Sequence, residues 1–438
     1  MRCSADLAAF RLSATALLLA LGLGGATAYA QAHPVAQPAA PLRTPAVETC
    51  VNCHAVQQDA RLHDPMERLR GSVHAHAIGC SGCHGGRGNE PTAQAHDPEA
   101  GFVPRPDAAT IANRCGSCHA DARFIRRFRE DLPTDQLALY YSDAHGRAVA
   151  EGNASAPSCL DCHGSHDIQS PSDPSSRVAR RHVHETCGRC HADPAHMAGT
   201  RLPTNQMELW THSVHGVAVL EHGNPRAPTC AGCHGAHGEY RDAGGPEGRC
   251  RQCHTDEAAA FDRSPHAAAY RRLGFSGCVA CHGSHDIQRA NGALGTVGGM
   301  GVCRRCHGEG RSSYDLARGI AGDAEDARQS LAAARSEVQA LERDGLRVPA
   351  LNGMLEEAEQ ADVQLRVAVH ALDATVTRAA AAAVREPAQR ARTLARSTRD
   401  RDRRSRHMWL LAVPVLGLFI ALAALKLRAV ERAKGGPG

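Results

Sequence analysis

The chain has 438 residues, of which 42 are glycine and only 3% are aromatic, so its side chains supply too little bulk for an ordinary core. The formal charge is +4 at pH 7, which gives no argument for nucleic acid as a partner. The 19 cysteines are the feature that a prediction has to explain.

The amino-terminal segment, residues 1–30, predicts a secretory signal peptide. Arg2 and Arg11 give it a basic start, residues 14–23 form an apolar run, and an Ala-Tyr-Ala cleavage site ends the segment. An uncleaved anchor is the alternative, but glycines shorten the apolar run. Residues 31–47 are rich in Pro, Ala and Gln and predict a flexible linker.

Nine copies of the sequence Cys-x-x-Cys-His follow between residues 50 and 307, and they contain every cysteine except Cys3. A disulfide framework does not need a histidine directly after each second cysteine. A single copy would also fit a redox pair or half of a zinc site. Nine copies predict haem attachment, in which the two thiols bond to the haem vinyl groups and the histidine becomes the proximal iron ligand.

We therefore predict nine covalently attached haem c groups. Their thioether bonds would be made by Cys50, Cys53, Cys80, Cys83, Cys115, Cys118, Cys159, Cys162, Cys187, Cys190, Cys230, Cys233, Cys250, Cys253, Cys278, Cys281, Cys303 and Cys306. Their proximal ligands would be His54, His84, His119, His163, His191, His234, His254, His282 and His307.

The predicted haem domain covers residues 48–312 and holds about one motif per 29 residues, a density that predicts haems close to one another. Two propionates per haem would turn the small positive charge of the polypeptide into a net negative one. Haem would also supply the apolar bulk that the side chains lack, so we expect a mainly α fold with extensive loops.

Two kinds of motif alternate along this domain. Glycine-type motifs are followed by Gly and, in three of the four copies, by a further His; they begin at Cys80, Cys159, Cys230 and Cys278. The other motifs, here called plain, lack that following His and begin at Cys50, Cys115, Cys187, Cys250 and Cys303. Residues 132–146 also match residues 202–216 at an offset of 70. These repeats predict a tandem array of two-haem modules with one extra haem.

Each haem iron needs a sixth ligand, and the four methionines of the domain are too few to serve nine irons. Bis-histidine ligation is therefore predicted. A histidine shortly before each glycine-type motif supplies His74, His145, His215 and His266, and one after it supplies His96, His166, His237 and His285. The ninth ligand stays open between His63, His182, His184 and His196. His33, His370 and His407 were set aside because they lie outside the haem domain.

Residues 313–406 change to a helical pattern. One seam of small and apolar side chains runs from Ile320 to Leu341, a second runs from Leu351 to Leu372, and a break lies between them. We predict an antiparallel helical hairpin, with Pro387 starting a further helix. Pairing of the seam with another subunit is the alternative.

Residues 407–427 predict a transmembrane helix, because Met408–Leu425 contains no charged residue. A buried soluble helix is the alternative. Basic residues flank both ends of the span, so the signal peptide decides the orientation. The haem domain would lie on the periplasmic face of the cytoplasmic membrane, and residues 428–438 would form a cytoplasmic tail.

The motif density and the Cys-x-x-Cys-His-Gly-Ser-His element at Cys159 and Cys278 resemble the bacterial multihaem c-type cytochromes, which include cytochrome c3-like proteins and larger electron conduits. The resemblance covers residues 50–307. It implies a haem-packed array of bis-histidine haems and periplasmic electron transfer. The carboxy-terminal anchor departs from the common pattern, in which the anchor is amino-terminal.

The predicted function is that of a membrane-anchored periplasmic electron carrier rather than an enzyme. It would take electrons from a quinol-oxidising partner in the inner membrane and pass them to periplasmic cytochromes or reductases in anaerobic-type respiration. The alternative is a multihaem reductase or oxidase of a small nitrogen or sulfur species with one open-site haem. A structural filament subunit is a weaker third option.

Overall fold

The computed structural model describes residues 49–75, 77–238, 245–288, 302–308 and 310–434. The predicted signal peptide, the linker and the last four residues of the predicted tail lie outside the described residues. The described part is helical with loops, and it contains no strand. The chain divides into two compact units, residues 1–177 and residues 178–438.

Unit 1 is built from short helices joined by turns. They are α1 (Cys50–His54), α2 (Ala60–Arg70), α3 (Cys80–His84), α4 (Ala108–His119), α5 (Ala122–Ile125), α6 (Gln136–Ser142), α7 (Ala144–Ala150) and α8 (Cys159–His163), with 3₁₀ turns at Ala93–His96 and Pro98–Ala100. Four of these helices end in the histidine of a motif.

Unit 2 begins with short helices of the same kind and ends with three long helices. The part that contains the Cys-x-x-Cys-His motifs consists of α9 (Val183–His191), α10 (Gln206–Thr211), α11 (Val214–Leu220), α12 (Cys230–His234), α13 (Gly245–Cys253), α14 (Thr255–Asp262), α15 (Pro265–Leu273) and α16 (Gly277–His282), with a 3₁₀ turn at Cys303–Arg305. Three long helices follow: α17 (Ser312–Arg343), α18 (Pro349–Ala368) and α19 (Ala374–Lys434), with a 3₁₀ turn at Val369–Ala371 between the last two.

The motif helices explain the spacing of the motif. Residues three and four positions apart lie on the same face of a helix, so one turn presents both thiols and the histidine together. Each glycine-type motif ends in a glycine of positive φ, for example Gly85 at 71° and Gly164 at 84°. A side chain at Gly85 would collide with the carbonyl of Gly101. The glycine is therefore needed to turn the chain away from the helix end.

The two segments of the 70-residue duplication, one in each unit, have the same local structure. Tyr140 at the end of α6 and Trp210 at the end of α10 are both buried. Asp143 accepts a hydrogen bond from the Gly146 amide at 2.9 Å, and Ser213 accepts one from Gly216 at 3.1 Å. These caps start α7 and α11, so His145 and His215 occupy the same second position of their helices.

The three long helices form an antiparallel bundle. Ion pairs join Arg378 to Asp323 and Arg392 to Glu337, at the same sequence offset, so α17 and α19 run in the same direction. Arg335 on α17 pairs with Glu359 on α18, and Glu342 with Asn352, so α18 runs in the opposite direction. The predicted seam is buried at Ile320, Ala327, Leu331, Ala334, Val338, Leu341, Leu351, Ala358 and Leu365.

The prediction that Pro387 begins a helix was wrong. The helix α19 begins at Ala374, and Pro387 lies inside it with its ring fully buried. An internal proline loses one backbone hydrogen bond and favours a kink. Here Val384, Ala388 and Ala391 pack on both sides of it in the seam, and this packing outweighs the local preference.

The same helix α19 contains the predicted span. It is the single helix among the described residues that is long and apolar enough to cross a membrane, with a mean hydropathy of 2.5 in its most apolar window. The side chains from Met408 to Leu425 are exposed. From Ala374 to Met408 the helix runs for 34 residues, which is about 50 Å at the rise of an α-helix.

We expect Leu341→Ala to destabilise the bundle by about 2–5 kcal/mol, because the side chain is fully buried between the helices and its loss leaves a cavity. Leu316→Ala on the same helix is the control, since Leu316 is 46% exposed; it should cost less than about 1 kcal/mol. Denaturant unfolding of the detergent-solubilised chain, followed by helical circular dichroism, measures both. Equal costs would contradict the bundle.

Candidate functional site

The eighteen motif cysteines form no disulfide bond among the residues that the structure describes. The thiols are partly buried rather than fully exposed at most motifs. Each pair lies on one α-helical turn, or on a 3₁₀ turn at Cys303, directly before its motif histidine.

Neighbouring motifs lie side by side within each unit. In unit 1 the thiols of Cys115 and Cys159 interact, and in unit 2 those of Cys187 and Cys230 do the same. The neighbouring thiol and burial raise the pKa of Cys115, whereas the neighbouring thiol lowers the pKa of Cys159. The first cysteines of two motifs far apart in sequence are thus in contact, so groups attached there would be close neighbours.

Seven of the nine motif histidines face a second histidine from elsewhere in the chain. Ring centroids are 5.8 to 6.4 Å apart in every pair. Unit 1 holds the pairs His54–His96, His119–His74 and His84–His166. Unit 2 holds His254–His215, His234–His285, His307–His266 and His282–His370.

The histidine pairs follow a pattern that could not be predicted from the sequence repeats alone. The histidine before a glycine-type motif faces the next plain motif, as His74 faces His119. The histidine after a glycine-type motif faces an earlier motif, as His166 faces His84. A histidine beside a glycine-type motif therefore faces the histidine of another motif rather than that of its own motif in each of these pairs.

These pairs fit a haem iron. A metal–imidazole bond is about 2.0 Å long, and the ring nitrogen lies about 1.1 Å from the ring centre, so two imidazoles on opposite sides of one iron have centroids about 6 Å apart. The observed distances lie around this value in all seven pairs. Each pair also includes the histidine that directly follows two thiols, which is the donor set that haem c requires.

The surroundings of the rings favour the form that binds a metal. Burial lowers the pKa of His74, His215 and His266, and the facing motif histidine lowers it further. A ring that stays neutral keeps a lone pair for coordination. His84 Nδ1 donates to the backbone carbonyl of Val103 at 3.2 Å, which leaves Nε2 as its free acceptor.

The angle between paired rings separates the two kinds of motif. At glycine-type motifs the planes are nearly parallel: 14° for His84–His166, 12° for His234–His285 and 26° for His282–His370. At plain motifs they cross, at 70° for His54–His96, 85° for His119–His74, 51° for His254–His215 and 85° for His307–His266. The kind of motif therefore sets the relative orientation of the rings.

Two of the four candidates for the ninth ligand, His63 and His184, lie elsewhere. His63 is partly exposed beside Asp64, with Nδ1 3.3 Å from the carboxylate. His184 packs against the ring of Trp210, at 5.6 Å between centroids. Neither faces a motif histidine in the described part of the chain. His370, which lies outside the predicted haem domain, faces His282 instead. The signal for a further ligand in the sequence was that the repeats supply eight ligands for nine irons.

The remaining predicted ligands, His145 and His237, keep their repeat positions. His145 matches His215 in the duplication, and His237 follows Cys230–His234 as His285 follows the motif at Cys278. Among the described residues, no group of three or more His, Cys, Asp or Glu side chains is arranged to hold a metal ion. The donor sets that the structure does assemble are the histidine pairs.

The chain was compared with protein-family models, with curated proteins and with solved structures, and none of the three comparisons gave a match.

Proposed function

We propose that the chain is a membrane-anchored multihaem c-type cytochrome that transfers electrons outside the cytoplasmic membrane. The observation that carries the proposal is the placement of a second histidine about 6 Å from the motif histidine at seven of the nine motifs. Neither a redox dithiol nor half of a zinc site needs that second ring.

The residues that would hold nine haems can be named almost completely. The eighteen motif cysteines supply the thioether bonds and the nine motif histidines the proximal ligands. Seven distal ligands follow from the pairs, and the repeats leave His145 and His237 for the motifs at Cys159 and Cys187. Bound haem supplies one-electron redox chemistry, and two histidine ligands hold its potential lower than a His/Met pair would.

The polypeptide positions and shields these ligands. Turns at the positive-φ glycines direct the downstream histidines away from their own motif helix. Buried caps such as Asp143 and Ser213 fix the helices that carry the upstream histidines. With two ring donors per iron, no coordination position is reserved for a small substrate, which favours a carrier over an enzyme.

The helix α19 supports the membrane part of the proposal. Its apolar segment Met408–Leu425 would cross the bilayer, and a cleaved signal peptide would place the haem motifs on the periplasmic face. The donor would be a quinol-oxidising partner in the inner membrane, and the acceptors would be periplasmic cytochromes or reductases.

The enzymatic alternative loses its main argument. A reductase or oxidase of a small nitrogen or sulfur species needs an iron with an open or displaceable sixth position. The sequence left one motif without a recurrent partner, and that shortage was the reason to keep this alternative. His370, whose ring centroid lies 5.9 Å from that of His282, would fill that place.

The first test of the proposal is stoichiometry and topology. Intact mass of the purified protein should correspond to nine covalent haems on a chain that begins at residue 31. The full-length protein should require detergent, whereas a chain ending at Arg406, which keeps the bundle but lacks the span, should be soluble with the same nine haems. Fewer haems, or a full-length chain that partitions into water, would refute the proposal.

The second test uses the ring angles. Parallel imidazole planes split the iron d orbitals more strongly than crossed planes, so the oxidised protein should give two groups of low-spin electron paramagnetic resonance signals. His285→Ala should remove one rhombic signal, since its ring lies at 12° to His234. The matched variant His266→Ala should remove one highly anisotropic signal, since its ring lies at 85° to His307. Loss of the same signal in both would contradict the assignment.

The third test separates carrier from enzyme. If all nine irons have two histidine ligands, carbon monoxide, nitrite and hydroxylamine should not bind rapidly to the reduced protein. Electrons should still pass quickly to an added soluble c-type cytochrome. Stopped-flow mixing measures both rates. Fast ligand binding to one haem in nine, with turnover, would instead support the reductase.

A further inference from the structure

We propose that His370, which lies outside the haem motifs in the long-helix region, is the distal ligand of the haem attached at Cys278 and Cys281. The helical bundle would thereby complete a haem site of the cytochrome part, and the two parts of unit 2 would share one iron. This inference rests on the proposed function, because it requires that the motif at Cys278 carries haem.

The position of His370 is set by a turn of unusual backbone geometry. It lies in the 3₁₀ turn Val369–Ala371, between the end of α18 and the start of α19. Leu372 directly after the turn has a φ of 52°, a left-handed conformation that a leucine rarely adopts. The turn packs against α14, the helix that follows the motif histidine His254. The surrounding contacts therefore hold the turn against the haem-motif part.

The ring of His370 is oriented as a ligand. Its Nδ1 donates to the backbone carbonyl of Arg366 at 2.8 Å, in the last turn of α18, where carbonyl groups have no partner within the helix. This bond leaves Nε2 as the free acceptor, which is the usual arrangement of a metal-bound histidine. The ring centroid lies 5.9 Å from that of His282.

The repeat explains why a ligand from outside is needed at this motif. The haems at Cys80 and Cys230 would each take their distal ligand from the histidine that follows the next glycine-type motif. The pairs His84–His166 and His234–His285 show this arrangement. The motif at Cys278 is the last of the glycine type in the sequence, so the array has no later copy to supply its ligand. His370 takes that place with a ring angle of 26°, within the near-parallel class.

The test compares His370→Ala with a matched control, His212→Ala. His212 makes the same bond, from Nδ1 to the carbonyl four residues earlier (Glu208, 2.8 Å), but faces no motif histidine in the part of the chain that the structure describes. The full-length protein is measured in detergent by intact mass, absorption and electron paramagnetic resonance.

We expect nine covalent haems in both variants, because neither change touches a motif. In His370→Ala one haem in nine should change from low to high spin and bind carbon monoxide, and added imidazole should restore the low-spin signal. The control should keep nine low-spin haems. His370→Met should stay low-spin, with the potential of one haem raised by the thioether ligand.

The outcomes separate this inference from the proposed function. A mass with no haem at any motif would refute the proposed function itself. Nine haems that all remain low-spin in His370→Ala would overturn the role of His370 and leave the proposed function intact. If His370→Ala does not accumulate, His370→Met decides the question, since an unchanged set of nine potentials would equally overturn the assignment.

Discussion

The separation of about 6 Å between paired histidine rings is the constraint on which the haem-motif part depends. It requires that two segments far apart in sequence approach one place, as His84 and His166 do across 82 residues. A single short helix cannot bring together two residues so far apart in sequence. The turns after the motifs, the buried caps of α7 and α11 and the contacts between neighbouring thiols all serve to bring these segments together.

The two parts of the chain are stabilised in different ways. The bundle has a continuous core in which Leu341, Val338 and Leu365 are almost fully buried. Among the described residues, the motif-bearing parts have small clusters, around Tyr140 in unit 1 and around Trp210 in unit 2. Burial of apolar surface is the main stabilising term in folding. Under the proposed function, nine haems would add apolar surface to these parts.

Much of the fold and the site could be predicted from the sequence. The seam from Ile320 to Leu341 correctly predicted which face of α17 is buried, because apolar residues spaced four and three apart lie on one face of a helix. Repetition likewise identified His74, His215 and His285 as candidates. The partner of each ring could not be predicted, since it depends on which modules lie side by side. His370 was missed because it belongs to no repeat, and Pro387 because burial in a seam outweighs its local preference.

The length of α19 restricts how electrons can reach the haem motifs under the proposed function. His370 lies four residues before the helix begins, and the apolar segment starts about 50 Å further along its axis. Electron transfer through protein falls off steeply with distance, so the haem that His370 would ligate is beyond direct reach of a donor within the bilayer if the helix stands upright. A quinol-oxidising partner would then have to extend its own redox centre above the membrane, to the level of the haem motifs. Under the proposed function, the bundle would therefore act as a spacer between the bilayer and the haem motifs, a role that a short linker could not fill.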